Sequence, residues 1–460
     1  MGKFLLIDFG STYTKVSVVD TVAERLLATA KAHTTVASNI MEGLREALAL
    51  LPETACDWEQ KLACSSAAGG LRMVAVGLVK DLTAEAAKRA ALGAGARVLA
   101  VFSYELTAAD LTAIAELDPD IILLAGGTDG GNKEIILKNA ATLTCLTHAI
   151  PVVVAGNKVV AHAAAAQLRQ RHDPVLVVGN VMPELNVLQV DEARQAIREL
   201  FLRQIVHAKG LGMAEEFAGR VLMPTPAAVL KAAELLARGY GEEEGWGELI
   251  VLDIGGATTD VHSLAIGDPT KPGVACKGLP EPYAKRTVEG DLGMRYSARA
   301  LTLAAGKRLS DYLQVTKDSL DVYVQKVTQA PDYLPETEAE IRLENGLARL
   351  AAELAVERHC GTLEVIYTPF GASYIQHGKD LTQVKTVIGT GGILAHNPHA
   401  REILQGAAFN AALPTSLKPI EPDYYLDQDY ILAAMGLLAE TNPLAALRIM
   451  KSHLRQLGGE

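Results

Sequence analysis

What is missing narrows this sequence first. There is no basic stripe: 54 acidic against 43 basic residues leave a net charge of −11 over 460 residues. Nucleic acid, whose binding needs clustered cations to release counterions, is thereby excluded as the main partner. Cysteine is scarce and scattered. Cys56, Cys64, Cys145, Cys276 and Cys360 are odd in number and form no C-x-x-C pair. That argues against a disulfide framework and against a zinc or iron–sulfur site built within one chain, and it points to a reducing compartment. No uncharged apolar run approaches the roughly 18 residues that span a bilayer. The N-terminus runs straight into a strand with no signal-peptide pattern, and Leu6 spoils a myristoylation motif. The expectation is a soluble cytoplasmic protein. With 49% hydrophobic residues the chain can still fill real cores, and its length predicts two or more domains.

Two stretches organise what is there, and they are near-copies. The first is LIDFGSTYTKVSVV at 6–19 with its leading Leu5; the second is LIVLDIGGATTDVHS at 249–263. Each is an apolar run ending in Asp, a turn of Gly, Ser and Thr, and a second apolar run, which reads as a buried β-hairpin. With Asp8 laid on Asp253, Gly10 falls on Gly255, Thr14 on Thr259 and Lys15 on Asp260.

Small residues in such a turn let backbone N–H groups approach phosphate oxygens closely. The Asp ending each strand conflicts with that task, because a carboxylate about 4 Å from another full negative charge costs roughly 4 kcal/mol at an effective dielectric near 20. A divalent cation between carboxylate and phosphate, Mg²⁺ held largely through its waters, removes the conflict. Two Asp hairpins therefore read as a clamp around a Mg-nucleotide.

Between them the pattern changes. Residues 38–51 have helical spacing behind a Ser38 cap, and Thr83 is expected to cap an Ala-rich helix over 84–92. From Arg97 strands and helices alternate: 97–102, 106–116, 120–125, a helix from Lys133, 151–155, a helix through Leu168, 174–178, and a helix near 191–206. This predicts a parallel, doubly wound sheet. Gly126–Gly131 lacks the dinucleotide G-x-G-x-x-G spacing and reads as a tight strand-to-helix turn rather than an anion site. After an acidic, Gly-rich boundary at 239–247 and the second hairpin, helices are expected over 296–305, 319–329 and 337–360, then a strand over 384–388. That strand opens into Gly389-Thr390-Gly391-Gly392, whose glycines would let a helix N-terminus approach a flat group such as a nucleoside. The small residues of 429–438 suit a closely packed helix crossing. His396 and His399 in HNPH are expected to be structural.

In this order the hairpins, the G-x-G-G and the Ala/Gly helix resemble the motif series of the actin–hexokinase–DnaK-type ATPase superfamily. Within it the stretches LIDFGSTYTKVSVVD, SSAAGGLRMVAVGLVKDLTAEAAKRAALGAGARV, IILLAGGTDGG, DIGGATTDVHS and TVEGDLGMR resemble the GlmL/MutL accessory proteins of adenosylcobalamin-dependent glutamate mutase. (These share only a name with the mismatch-repair MutL.) The resemblance implies an α/β, two-lobed actin-like fold of duplicated ribonuclease-H-like cores closing on Mg-ATP. A first lobe would cover 1–247, with a βα insert at about 60–225 that is expected to meet the partner. A second lobe with a helical subdomain would cover 248–430, and helices at 431–460 would pack back toward the first lobe. Carried over by position, Asp8 and Asp253 match the carboxylates that hold Mg²⁺ water. Gly10, Ser11, Thr12, Gly255, Gly256 and Thr258 match phosphate-loop positions, with Thr14 and Thr259 following them. Asp260 matches an acidic residue that helps position metal or water, Lys15 a position that is basic in some members, and Gly391 and Gly392 the adenosine loop. Glu289 and Asp291 are the candidates for a general base. The implied activity is slow ATP hydrolysis that reactivates a cobalamin-dependent mutase by promoting release of damaged cobalamin. A small-molecule kinase and an actin-like nucleotide-dependent scaffold are the alternatives, and the residues leave the oligomeric state open.

Overall fold

The computed structural model describes residues 2–458 except 11, 36–38, 67–70, 209–216, 218–220, 314–315 and 370. Ser11, the expected Ser38 cap and residues 67–70 therefore lie outside the described residues. The chain forms two compact units. The first comprises Met1–Ala232, Gly278–Pro280 and Ala433–Ala446; the second comprises Ala233–Lys277, Glu281–Leu432 and Leu447–Glu460. Of the C-terminal segment expected to pack back toward the first lobe, Ala433–Ala446 belongs to the first unit and Leu447–Glu460 to the second.

In the first unit, β1 (Lys3–Phe9), β2 (Tyr13–Asp20) and β3 (Arg25–His33) form an antiparallel meander, and β4 (Gln60–Ser65) runs parallel to β1. Five further strands, β5 (Arg72–Gly77), β6 (Arg97–Ser103), β7 (Ile121–Leu124), β8 (Val152–Val154) and β9 (Val175–Val177), build a separate parallel sheet in the order β6-β5-β7-β8-β9. Alternation along these strands explains the helices on both faces. Met73 and Ala75 pack with Ala86, Ala90 and Ile197, while Val74 and Val76 pack with Ile114, Ala140 and Ala164. The chain then returns through β10 (Val221–Pro224), which pairs with β4 and completes a sheet ordered β10-β4-β1-β2-β3. The βα insert is therefore narrower than the 60–225 expected, because β4 and β10 at its ends belong to the hairpin's own sheet.

The second unit repeats this core. After a two-residue pair, β11 (Gly239–Tyr240) and β12 (Glu243–Glu244), come β13 (Leu249–Ile254) and β14 (Thr259–Leu264). They are joined by β15 (Val274–Lys277), β16 (Ala284–Glu289), β17 (Thr362–Thr368), β18 (Gly371–His377), β19 (Thr386–Thr390), β20 (Asp423–Asp427) and β21 (Leu454–Gln456). The main sheet is ordered β16-β14-β13-β19-β20-β21, with β13–β14–β16 antiparallel and β13–β19–β20 parallel. Read from the hairpin outward this is the same three-antiparallel, two-parallel pattern as the first sheet. The duplicated core inferred from the hairpins is present. Behind it the helix Glu338–His359, started by a Thr337/Glu340 capping box, presents Leu347, Ala351 and Ala355 to Ile250, Leu252 and Val261.

Local differences have local causes. The helix after the first meander starts at Ile40 because the Asn39 side chain accepts the Met41 N–H. Thr83 does not cap its helix. Its Oγ1 reaches back to accept the N–H groups of Leu78 and Val79, so the helix Glu85–Gly93 is entered through a π-turn over Lys80–Ala84. Gly436 lies against the Ala228 carbonyl, which accounts for the small residues at 433–436 as a close helix crossing within the first unit.

Candidate functional site

Each hairpin closes through the same bond. Gly10 N–H donates to Tyr13 O at 3.1 Å, and Gly255 N–H donates to Thr258 O at 2.9 Å. A Cβ at Gly10 would collide with Tyr13 O at 2.5 Å, so that turn demands glycine, and one at Gly255 would crowd Thr258 O at 3.0 Å. Two turns with the same three-residue closure, at the same place in the same five-stranded pattern, make the sequence duplication a structural one.

In the first unit Asp8 stands on β1 directly opposite Lys15 of β2, and Lys15 stands opposite Lys31 of β3. Residues opposite one another share a face, so one carboxylate and two ammonium groups form a row. Burial and the Lys15 charge hold the Lys31 ammonium below its ordinary pKa. Asp8 is buried, and its Oδ1 accepts from Thr225 Oγ1 at 2.6 Å and Cys64 Sγ at 3.5 Å. Burial, then the adjacent Asp8 charge, push the Cys64 thiol well up, so it remains a thiol donor. No hydrogen bond among the described residues engages Asp8 Oδ2, which leaves a hard oxygen of the kind Mg²⁺ prefers. Thr14 turns inward, its hydroxyl 3.1 Å from that of Thr34, while the Thr12 carbonyl accepts Thr34 N–H.

In the second unit Asp253 on β13 lies opposite Asp260 on β14 and Thr390 on β19. Like charges directly opposite repel, and here Arg286 takes up one of them. Its Nε and Nη2 donate to Asp260 Oδ1 at 2.8 and 2.6 Å, while Thr258 Oγ1 donates to Asp260 Oδ2 at 3.1 Å. Asp260 thus holds a buried guanidinium and the Thr258 hydroxyl. The Thr259 hydroxyl donates to Leu292 O at 2.6 Å, inside the fold. Beneath the turn the 290–297 segment is laced to it: Gly256 O accepts the N–H groups of Arg295 and Tyr296, and Ser297 Oγ donates to Ala257 O. The glycines expected to form the adenosine loop sit beside this turn. Gly391 has φ +106° and would collide through a Cβ with Ile254 O and crowd Asp253 Oδ1. Gly392 meets nothing closer than the Tyr430 hydroxyl, at 3.9 Å.

The two general-base candidates are committed elsewhere. Arg358 binds Glu289 at 2.8 Å and Asp291 at 2.7 and 2.9 Å, and that pairing holds the Asp291 carboxyl below its usual range. His399 bonds Glu402 and His396 packs edge-on to Tyr430, so the two histidines do not converge. Nor does the Gly126–Gly131 loop present an open nest. Asn157 and Asn180, from the loops after β8 and β9, bind the main chain at Gly130, Gly131 and Gly127. Sequence reasoning passed over Thr225, Lys31, Asn157, Asn180, Arg286 and Asp427. Asp427 accepts from Thr390 Oγ1 and caps the helix Leu432–Leu438 through the N–H groups of Ile431 and Leu432. Asp427 stands five residues before the helix, outside the N-cap position that a sequence reveals; the others act through long-range pairings that leave no local pattern.

Among the described residues no cluster of three or more His, Cys, Asp or Glu could enclose a metal. Each unit instead offers one carboxylate at a strand end beside a small-residue turn. This donor set suits Mg²⁺, which takes one or two carboxylates and otherwise water and phosphate oxygens.

Beside Asp260, on the same face of β14, His262 is fully buried, and its Nδ1 has no partner among the described residues. Burial, then the Arg286 charge, lower its pKa to about 3. Because the folded pKa lies below the unfolded value near 6.5, the unfolded state binds the extra proton, and stability falls as pH drops from about 6.5 toward 3. The His262 contribution lost at pH 5 is about 2 kcal/mol. His359, buried and depressed in the same direction, adds to the slope. Urea unfolding followed from pH 7 to pH 5 should show this loss, and His262→Leu should flatten the slope by about one proton. An unchanged slope in that variant would remove His262 from the account.

The chain is similar to several known proteins. Among solved structures, the chain matches (R)-2-hydroxyglutaryl-CoA dehydratase component A of Acidaminococcus fermentans at 12% identity and TM-score 0.32, covering 97% of this chain and 100% of that one. It matches xylulose kinase of Bifidobacterium adolescentis at 13% identity and TM-score 0.32, covering 99% and 96%. A curated relative, Protein MutL of Clostridium tetanomorphum, is 54% identical over 459 residues, 99% of both chains. The family model described as MutL protein matches residues 4–454. The chain belongs to the MutL family, the glutamate mutase accessory family.

Proposed function

We propose that this protein binds and slowly hydrolyses Mg-ATP, and uses the nucleotide to reactivate an adenosylcobalamin-dependent amino-acid mutase, glutamate mutase foremost, by promoting release of damaged cobalamin. The observation that carries the reading is the repeated Asp-Gly turn, closed by the same Gly N–H bond at the same position of two matching sheets. Family membership supplies the partner class. In this reading Asp8 and Asp253 hold Mg²⁺ through water, and the cation supplies charge neutralisation at the phosphates. The turns at Gly10–Thr12 and Gly255–Thr258 bind phosphate oxygens, with Lys15 as a point charge. Gly391 and Gly392 accept the nucleoside. Asp260 acts on the site indirectly, by fixing Thr258. Nucleotide state would shift the protein between conformations of different affinity for the mutase, and only that differential affinity can drive release. The βα insert is the surface we assign to partner contact.

The test starts from the mutase of the same organism, inactivated with a non-functional cobalamin. Adding this protein, adenosylcobalamin and Mg-ATP should restore mutase activity, and omitting ATP should prevent it. ATP hydrolysis without recovery would mean that the partner is wrong. Recovery that needs no nucleotide would sink the coupling. Turnover of a carbohydrate by the pure protein would instead favour the kinase alternative.

A further inference from the structure

Beyond the main sheet, the second unit carries a small sheet in the order β15-β18-β17. Its hairpin of β17 and β18 is uncharged from Val365 to Ile375, in a chain of which 21% is charged. It is also unusually exposed. Tyr367 is 85% accessible, Tyr374 43%, Val365 39% and Ile366 37%. Val365 and Tyr374 are cross-strand partners on one face, and Ile366 lies on the other, so the arm shows apolar side chains on both faces.

Its outer edge is open as well. At the base of β17 the Leu363 N–H donates outward to Thr415 O, and Thr362 bridges Ser416. Backbone groups alternate along a strand, so the N–H and C=O of Val365 and Tyr367 face the same way as those of Leu363. No strand among the described residues pairs with them. Native sheets usually protect such an edge with charge, proline or a cover; over 365–367 this one carries none of these.

We propose that this edge is a self-association site, where β17 of one copy pairs antiparallel with β17 of a second copy about a two-fold axis at Ile366. The register follows from the alternation. Val365 of each copy exchanges both backbone hydrogen bonds with Tyr367 of the other, and the two Ile366 residues meet as a non-hydrogen-bonded pair. The aromatic ring of Tyr367 then lies across from Val365, a favourable cross-strand combination. The self-complementary register favours a second copy as occupant, and the charge distribution permits one. With a net charge of −11, two copies repel over most of their surface, and the uncharged arm is where they can meet without opposing carboxylates. Glu364, the nearest charge, bonds His377 of its own hairpin and falls opposite position 368, not opposite another acid. The edge is short, so the contact falls well below the roughly 1,600 Å² of a standard interface and the dimer is reversible.

Sedimentation of the full chain over a range of concentrations should show monomer passing to dimer. Tyr367→Pro removes an outward N–H and leaves the bonds to β18, a placement proline tolerates on an edge; it should weaken the dimer at least about tenfold. Independently, Ile366→Cys should cross-link on mild oxidation, because residues at a non-hydrogen-bonded pair stand about 4.5 Å apart between Cα atoms, within disulfide range. Val365→Cys, offset from its own copy, should not, and the native chain with its exposed Cys56, Cys145 and Cys276 gives the background. A chain that stays monomeric overturns the proposal, as do a dimer indifferent to Tyr367→Pro and equal cross-linking at 365 and 366. A monomer whose Tyr367→Pro variant loses mutase reactivation would also overturn it, assigning the edge to a strand of the mutase.

Discussion

Asp253→Asn should lower Mg-dependent ATP hydrolysis by about 10²–10³-fold, the scale on which one preorganised electrostatic contact acts, while leaving the chain folded. The two effects separate because the amide keeps the shape of the side chain and an oxygen acceptor, and loses only the charge assigned to Mg²⁺ water. Asp253 stands directly opposite Asp260 on the neighbouring strand, so the substitution also removes one of two like charges there. Asp8→Asn should lose activity to a similar degree for the same reason. Its stability should change little, since the amide oxygen still accepts the Thr225 hydroxyl that now bonds Asp8 at 2.6 Å. Asp8→Ala would differ: it leaves the Thr225 and Cys64 donors without their acceptor, at a cost of about 1–3 kcal/mol. Steady-state hydrolysis and the urea midpoint, measured on the same preparations, decide the matter. Undiminished ATPase in Asp253→Asn would refute the metal assignment, and lost activity with lost stability would make Asp253 a structural residue.

What could be read in advance was whatever the chain encodes locally. The hairpins showed because an apolar run, an Asp and a turn Gly lie within a few residues of one another, and because the pattern occurs twice. The parallel insert showed because each strand is followed by its own helix. The bounds of that insert are not legible locally, since β4 and β10 look like any other short apolar strand; only their pairing with β1 and with each other assigns them to the hairpin's sheet. Thr83 was a good cap by type and position, yet its hydroxyl serves the turn before the helix. Glu289 and Asp291 followed the second hairpin as base candidates would, and nothing near them foretold Arg358, 67 residues further along the chain from Asp291. The β17–β18 arm escaped notice altogether. Its exposed apolar face breaks the inside-outside rule that makes strands legible, which is also why it points to a partner.

The role of Asp260 separates most clearly in the variants of Arg286. Arg286→Met should destabilise the second unit by about 3–5 kcal/mol, the usual consequence of stranding one charge of a buried pair. Arg286 and Asp260 are both buried, with their bonds at 2.6 and 2.8 Å, and Asp253 lies on the next strand. Unpaired, Asp260 would face that second carboxylate with no cation between them. Arg286→Met combined with Asp260→Asn should recover most of the loss, because replacing both partners leaves no stranded charge. The double variant then answers the functional question. If Asp260 serves to hold Arg286 and orient the Thr258 hydroxyl, an amide at 260 can still accept that hydroxyl, and ATP hydrolysis should persist at a reduced rate. If the Asp260 charge itself positions metal or water, hydrolysis should fall as far as it does in Asp253→Asn although the fold is restored. Equilibrium unfolding of the two single variants and the double variant, with hydrolysis rates for each, distinguishes the two roles. Destabilisation that fails to recover in the double variant would show that Arg286 supports the fold through contacts other than Asp260.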